Sequence, residues 1–475
     1  NMMNHSWIEE HVDSFITENR EALIRDLKTV IDIDSVEAPA EPNAPYGPGV
    51  RKALDAALEI ARNLGLEAGE CDGYMGYADV KGASETQLAT IAHLDVVPAG
   101  KGWTVCEPFE PLVKDGMIYG RGSSDDKGPA VASLYALRCV RELNFPMKHK
   151  VRLILGTAEE TGCSDIEYYL KKESTPPMVF SPDGDYPILN TEKGQLRPDV
   201  TAHFAPCGAM PRIRAIDGGL VLNAVPPEAE AVVEGMNAED VQPYLDEAAR
   251  ETGASFAATD ITGGVLIAAK GKNAHASTPA EGNNAITALL CALLKLPLVP
   301  CEGVEKLRAL YALTPHGQTD GTNFGIACAD EISGALTISL DIFHCTETEF
   351  RGSFDSRVPL CGGEERLFAI LKDKAAAAGL EAELMLHEPP HHTPEDMPLV
   401  EALKRIYTDY TGREARCVSM GGGTYVHNIE GGVGFGCEFP EVDTHMHGPD
   451  EFVRIEDLIV SGKMFAQAVA DLCGA

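Results

Sequence analysis

Apolar positions near residue 50 recur at helical spacing, with Leu54, Ala57, Leu58, Ala61 and Leu64 on one face and Gly65 placed to end the helix. Beyond it the pattern shortens to runs of β-formers: QLATIAH near 87–93, VRLILGT over 151–157 and MVFSPD over 178–183. Each run is followed at once by polar residues. Such runs alternating with helical patterns through residue 194 predict a parallel sheet covered by helices. From 195 to 388 the pattern changes to alternating strands such as EAEAVVEG and ALTISLDIF, with helices near 238–251, 283–295 and 364–378. After HEPPHHTPEDMP a further helix and the run GGVGFGCEF restore the first pattern. The expected fold is therefore α/β: a domain with a mainly parallel sheet, built from 1–194 plus 389–475, carrying an inserted α+β domain over 195–388.

Composition agrees with two folded domains, because 475 residues exceed what one core usually supports and 44% of them are apolar. A net charge of -34 repels nucleic acid and anionic lipid, so neither is an expected partner. A solvated acidic surface accounts for most of that charge, and no function is read from it. The thirteen cysteines form no CxxC pair, which indicates neither a disulfide framework nor a zinc-thiolate site and fits a reducing cytosol. The stretch NMMNHSWIEEH lacks the basic and apolar regions of a signal peptide, and no apolar run is long enough to span a membrane. The expected location is cytoplasmic, with Asn1 ahead of Met2 set aside as an expression-tag remnant.

Ligands of open parallel α/β sheets bind beyond the carboxyl ends of the strands. That rule selects His93 and Asp95 in IAHLDVVP, Asp125 and Asp126 in GRGSSDDKGP, Glu159 and Glu160 in GTAEETG, Asp183 in FSPDGDYP and His447 in DTHMHGPDE. A histidine from each end of the chain plus several carboxylates could hold two divalent ions. Singly, each motif has a plainer account. Glu159 and Glu160 suit a helix start, and so do Asp125 and Asp126 ahead of Pro129 at a first helical position. What singles them out is that all of them fall at strand ends.

HLDVVP, GRGSSDDKGP, TAEETG, SPDGDYP and MHGPDE, taken in that order over nearly the whole chain, resemble the co-catalytic zinc peptidase family of carnosinases, bacterial Xaa-His dipeptidases, glutamate carboxypeptidases and succinyl-diaminopimelate desuccinylases. The resemblance implies two Zn2+ per subunit, with Mn2+ or Co2+ as alternatives. By motif, His93 and Asp183 would bind one ion, Glu160 and His447 the other, and Asp125 would bridge them. Asp95 would accept a hydrogen bond from the far ring nitrogen of His93, and Glu159 would be the general base. Asp126 is left without a metal role and read as a helix-start carboxylate.

The inserted domain would act as a lid. His275 in GKNAHASTPAEGNNA resembles the family histidine that stabilises the oxyanion, and Asn223 in GGLVLNAVPPEA the asparagine that positions substrate. Arg357 in FRGSFDSRVP corresponds to the arginine that clamps a substrate carboxylate, with Arg351 as a competitor. Gly421, Gly422 and Gly423 in SMGGGTYVH would turn N–H groups towards that carboxylate beside Thr424. The dipeptidase branch usually continues GGGTY with a small residue and an arginine; Val426 and His427 stand there instead. His391 and His392, in a Pro-rich connection, are read as hinge or surface residues, and His445 is passed over for His447. The resemblance implies hydrolysis of dipeptides, Xaa-His or related, with a small peptide as substrate. N-acyl amino acid deacylation or desuccinylation and non-catalytic peptide binding are the alternatives. A lid of this length implies a monomer, with a dimer as the other option.

Overall fold

The computed structural model describes residues 5–144 and 146–474. Asn1 lies outside them. The chain divides into two compact units, one running to Thr191 and resuming over His392–Val418 and from Gly423, the other comprising Glu192–His391 and Ser419–Gly422. The second unit thus begins three residues before position 195 and ends three after position 388. It also takes Ser419–Gly422, which the hydrophobic pattern assigns to the first.

In the first unit the sheet runs in the order Glu67–Cys71, Met75–Val80, His149–Gly156, Ser84–His93, Met178–Ser181, Gly432–Gly434 and Ile188–Glu192. The four strands from His149–Gly156 to Gly432–Gly434 are parallel to one another. At the flanks the pairing is antiparallel. One antiparallel pair is a hairpin whose turn holds Asp72 and Gly73 at φ 51° and 80°, the conformation that an Asp-Gly pair accepts most readily. The central strands are covered on both faces because their apolar positions alternate. Leu88, Ala92, Leu153, Leu155 and Phe180 join the large core beneath the long helices Lys127–Leu143 and Ile455–Cys473. Ala89, Ile91, Ile154 and Val179 join a smaller core with Ile166 and Tyr425 on the opposite face.

The helix anticipated around Leu54 spans Pro48–Asn63, and Gly65 follows at φ 76°. Pro129 lies two residues inside the helix Lys127–Leu143 rather than at its first position. His391 and His392 form a short strand in which His391 is buried, so the first of the pair is not a surface residue. Its partner's Nδ1 lies 2.9 Å from Thr191 Oγ1.

The second unit carries an antiparallel eight-stranded sheet in the order Ser255–Ile261, Gly264–Lys270, Glu228–Glu234, Arg212–Gly218, Thr337–Cys345, Glu349–Val358, Gly194–His203 and Glu381–Glu388. Its apolar face, including Leu196, Ala231, Ile267 and Phe354, packs on helices Ala238–Thr252, Ala285–Leu293, Glu302–Leu313 and Glu364–Ala377. The alternate positions Arg351, Ser353, Asp355 and Arg357 point to the other face. Among the described residues, no helix is long and apolar enough to cross a membrane.

Candidate functional site

Three of the parallel strands of the first unit end in polar residues at the same edge, and their proximity follows from the register. His93 is the last residue of Ser84–His93 and pairs with Gly156, the last of His149–Gly156. Glu159 and Glu160 follow after Thr157 and Ala158, and Asp183 leaves the neighbouring strand Met178–Ser181. Asp125 and Asp126 precede the helix Lys127–Leu143. His447 arrives on the loop ahead of the strand Phe452–Arg454, at φ 66°.

These side chains converge. His93 Nε2 lies 3.0 Å from Asp125 Oδ1, 3.3 Å from Asp183 Oδ2, 3.6 Å from Glu159 Oε2 and 3.9 Å from Glu160 Oε1. His447 Nε2 lies 2.9 Å from the other Asp125 oxygen and 3.3 Å from Glu160 Oε1. One carboxylate thus stands between two imidazoles. On its far side His93 presents Nδ1 to the Asp95 carbonyl oxygen at 2.9 Å and to the Asp95 carboxylate at 3.2 Å. Both are acceptors, so Nδ1 carries a proton, and Nε2 is the nitrogen turned towards the carboxylate cluster. The Asp95 carboxylate also accepts the N–H groups of Glu159 and Glu160 at 3.2 and 3.0 Å, a task that sequence reasoning did not assign to it.

Asp126 departs from its expected helix-start role. It occupies the N-cap position but its side chain makes no capping bond. Instead Oδ2 accepts the His93 backbone N–H at 3.1 Å, while the buried Oδ1 has no hydrogen-bond partner. Two groups of donor atoms are close enough to share an ion: His93 with Asp125 and Glu160, and His93 with Asp126 and Asp183. The second grouping includes Asp126, and the sequence carries only one hint of this, the doubled aspartate.

Charge in this cluster is poorly compensated. Burial raises the Glu159 carboxyl well above its usual range, and Asp183 adds like charge. Asp126 is raised well above its range by the same two causes. Burial lifts Glu160 to about 8 and Asp183 to about 7. Burial opposes a charged His93 ring, yet Asp183, Asp95 and Glu159 override it and raise that pKa well above the ordinary value. Hydrogen bonding to Asp125 and Glu160 raises His447 to about 10. The nearby Lys127 brings little relief, because burial lowers its amine to about 7 and its Nζ donates to the Ile33 carbonyl. Facing lone pairs on imidazole nitrogens and carboxylate oxygens can be reconciled by protons or by cations. Two histidines with hard carboxylates match the donor preference of zinc and related divalent ions, so the residues fit such a centre.

The second unit gathers the other candidates. The short strands Ala224–Val225 and Ala274–His275 pair so that Ala224 faces His275, and Ala276 N–H donates to the Asn223 carbonyl. His275 is exposed. Its Nδ1 accepts the Ser277 N–H at 3.1 Å, which leaves the proton of the neutral ring on Nε2. A methyl group added to Gly421 would lie 2.8 Å from Ser277 Cβ, so only glycine permits that approach. The Gly421 carbonyl accepts from Arg357 Nη1 at 2.8 Å. Arg357 is held from behind by Asp355, with Nε to Oδ1 at 2.6 Å and Nη2 to Oδ2 at 3.3 Å. Arg351 instead pairs with Asp199 at 2.6 Å, six positions away along the same strand. Asn223, His275, Ser277, Gly421 and Arg357 therefore form one connected group. Gly422 closes this segment, whereas Gly423 and Thr424 belong to the first unit. There the Thr424 hydroxyl accepts the Val426 N–H and caps the turn Tyr425–Asn428. Val426 is buried with Ile154 and Val179, which explains an apolar residue at that position.

Comparison with known proteins extends the likeness over most of the chain. The sequence model described as Peptidase family M20/M25/M40 matches residues 89–471. YtjP of Bacillus subtilis (strain 168) is 34% identical over 465 residues, spanning 96% of this chain and 98% of its own. The Beta-Ala-Xaa dipeptidase of Lactobacillus delbrueckii subsp. lactis is 32% identical over 462 residues, spanning 95% and 96%. The crystal structure of human carnosine dipeptidase 1 has the same fold, with a TM-score of 0.61 at 16% identity over 98% of this chain and 99% of its own.

Proposed function

This chain belongs to peptidase family M20/M25/M40, and on that premise we propose that it is a two-metal dipeptidase acting on Xaa-His or related dipeptides. The observation that carries the reading is Asp125 between the His93 and His447 rings, with Glu159, Glu160 and Asp183 around them. Two divalent cations, zinc in this reading, held by His93, Asp183 and Asp125 and by Glu160, His447 and Asp125, would polarise the scissile carbonyl and make water acidic enough to attack at neutral pH.

The chain's own groups do the rest. Glu159, desolvated and already inclined to hold a proton, takes one from the attacking water and returns it to the leaving amine. Asp95 keeps the His93 proton on Nδ1 and fixes the Glu159–Glu160 turn by its backbone. From the second unit, His275 offers its Nε2 proton to the carbonyl oxygen as negative charge develops there. Arg357, aimed by Asp355, clamps the terminal carboxylate, with Asn223 and the Gly422, Gly423 and Thr424 segment as further contacts. A monomer is the proposed state, with a dimer as the alternative.

The test is turnover by metal-loaded protein of a dipeptide panel, including Xaa-His and β-Ala-Xaa members, beside N-acetyl and N-succinyl amino acids. Preferred cleavage of dipeptides is expected. Preference for the N-acyl substrates would replace dipeptidase by deacylase, and no turnover of either set would leave a peptide-binding role.

A further inference from the structure

Glu451 lies four residues beyond His447 and, together with Arg121, is almost wholly buried. Its Oε2 accepts the backbone N–H groups of Gly122, Ser124 and Asp125 at 3.1, 3.0 and 3.2 Å. The Ser124 hydroxyl reaches the same oxygen at 3.3 Å. The other oxygen receives Arg121 Nη1 at 2.8 Å, and Arg121 Nη2 donates to the Pro98 and Ala99 carbonyls. The Glu451 carbonyl accepts from Gly120 N–H. One side chain therefore grips the segment that delivers Asp125 while its own backbone continues the segment that delivers His447. A buried carboxylate with this many donors is far more directional than a surface ion pair.

The geometry points to Glu451 as a positioning residue that holds Asp125 in register with His447, and so sets the affinity of the metal centre. This rests on the reading that Asp125 and His447 are metal ligands. A carboxylate is required because the three N–H groups and the guanidinium all donate. In E451Q one end of the amide must place its N–H groups against these donors, whichever way it is turned. Asp125 then loses its fixed backbone even though every proposed ligand remains.

The experiment measures zinc affinity by chelator competition and amide hydrogen exchange at Ser124 and Asp125, on D125N, E451Q and D79N. Asp79 is a matched control, a buried carboxylate paired with Arg152 at 2.9 and 3.0 Å on a strand that carries no candidate ligand. We expect E451Q to bind zinc about 10- to 100-fold more weakly, the usual cost of losing a group that orients a ligand, with faster exchange at both amides. D79N should lower the melting temperature yet keep the wild-type affinity. Unchanged zinc affinity in E451Q, or an equal loss in D79N at equal loss of melting temperature, would overturn the inference. D125N separates the underlying reading: if it keeps both ions, the ligand assignment fails whatever E451Q does. Should E451Q not fold, E451D, which keeps the charge but shortens the reach, is judged on the same assay and by the same criteria.

Discussion

In the first unit five carboxylates, those of Asp125, Asp126, Glu159, Glu160 and Asp183, crowd two imidazoles beyond the ends of three parallel strands. In the second, the Arg357 guanidinium is locked by Asp355, which Arg197 also reaches at 3.3 Å, on an antiparallel strand, while His275 stands exposed on a two-residue strand. The first cluster exceeds its own compensation, since even with both rings protonated the carboxylates outnumber the cations, and burial raises several of the acids. In the second, Arg357 has a carboxylate counter-charge in Asp355, and a hydrogen bond from Ser277 N–H occupies His275 Nδ1. An unbalanced buried cluster of this kind calls for protons or cations to compensate it. On the proposed function, activation would fall to the first unit and recognition to the second.

Variants in the two units should fail differently. The largest effect is expected at Glu159. E159Q should lower kcat by roughly 10^2- to 10^4-fold, the range for a positioned general base, while metal analysis shows unchanged content. Loss of metal together with activity would move Glu159 into the ligand set. H275A should lower kcat by about 10^2- to 10^3-fold with little change in KM, as for removal of one oxyanion donor. A change confined to KM would make His275 a binding residue. R357K keeps the charge but not the fork. Losing charged hydrogen bonds of roughly 1.5–3 kcal/mol should raise KM by about 10- to 100-fold for dipeptides, whereas an N-terminally blocked, C-terminally amidated substrate should be cleaved no worse than by wild type.

The smallest effect concerns pH. Glu160 and Asp183 fold with pKa values near 8 and 7, above their unfolded values of 4.5 and 3.8. Each is a raised carboxylate, so the folded state binds more protons than the unfolded one, and stability present below the unfolded pKa is lost as pH rises through the folded value. Metal-free protein should therefore melt at lower temperature as pH rises from 5 to 8 (roughly, the window between those pKa values), and zinc should flatten that slope. In the second unit burial pushes Asp341 up to about 9, and its Oδ2 has no partner. Its contribution has the same sign and zinc should not touch it. D341N, followed by thermal melts in saturating zinc, should remove what slope remains; a slope equal to wild type would show that Asp341 is balanced after all.

Much of this was legible in the sequence because the signals are local. Strands such as Ser84–His93 announce themselves by composition, and the rule that ligands bind at strand ends selected His93, Asp125, Glu159, Glu160 and Asp183 before any fold was known. His275 and Arg357 required the family resemblance, since a lone histidine on a two-residue strand and an arginine in a longer one have no periodic signature. Other features left no local trace. Asp126 looks like a helix-start residue because the sequence shows its neighbours in the chain and not the His93 N–H that it accepts. Glu451 and Asp355 act on partners respectively 326 and two residues away, and in either case nothing in the spacing marks them out. The antiparallel flanks of the first sheet escaped for a related reason, as hydrophobic alternation encodes burial and not direction.

The sequence by itself marked strands such as Ser84–His93 and His149–Gly156 and the polar residue types that follow them, because each depends on side chains within a few positions. The tertiary structure alone decided that one Asp125 carboxylate stands between two rings from opposite ends of the chain, that Asp126 turns inward, and that Ser419–Gly422 joins the second unit. These are consequences of strand order and close packing, which bring together groups separated by hundreds of residues.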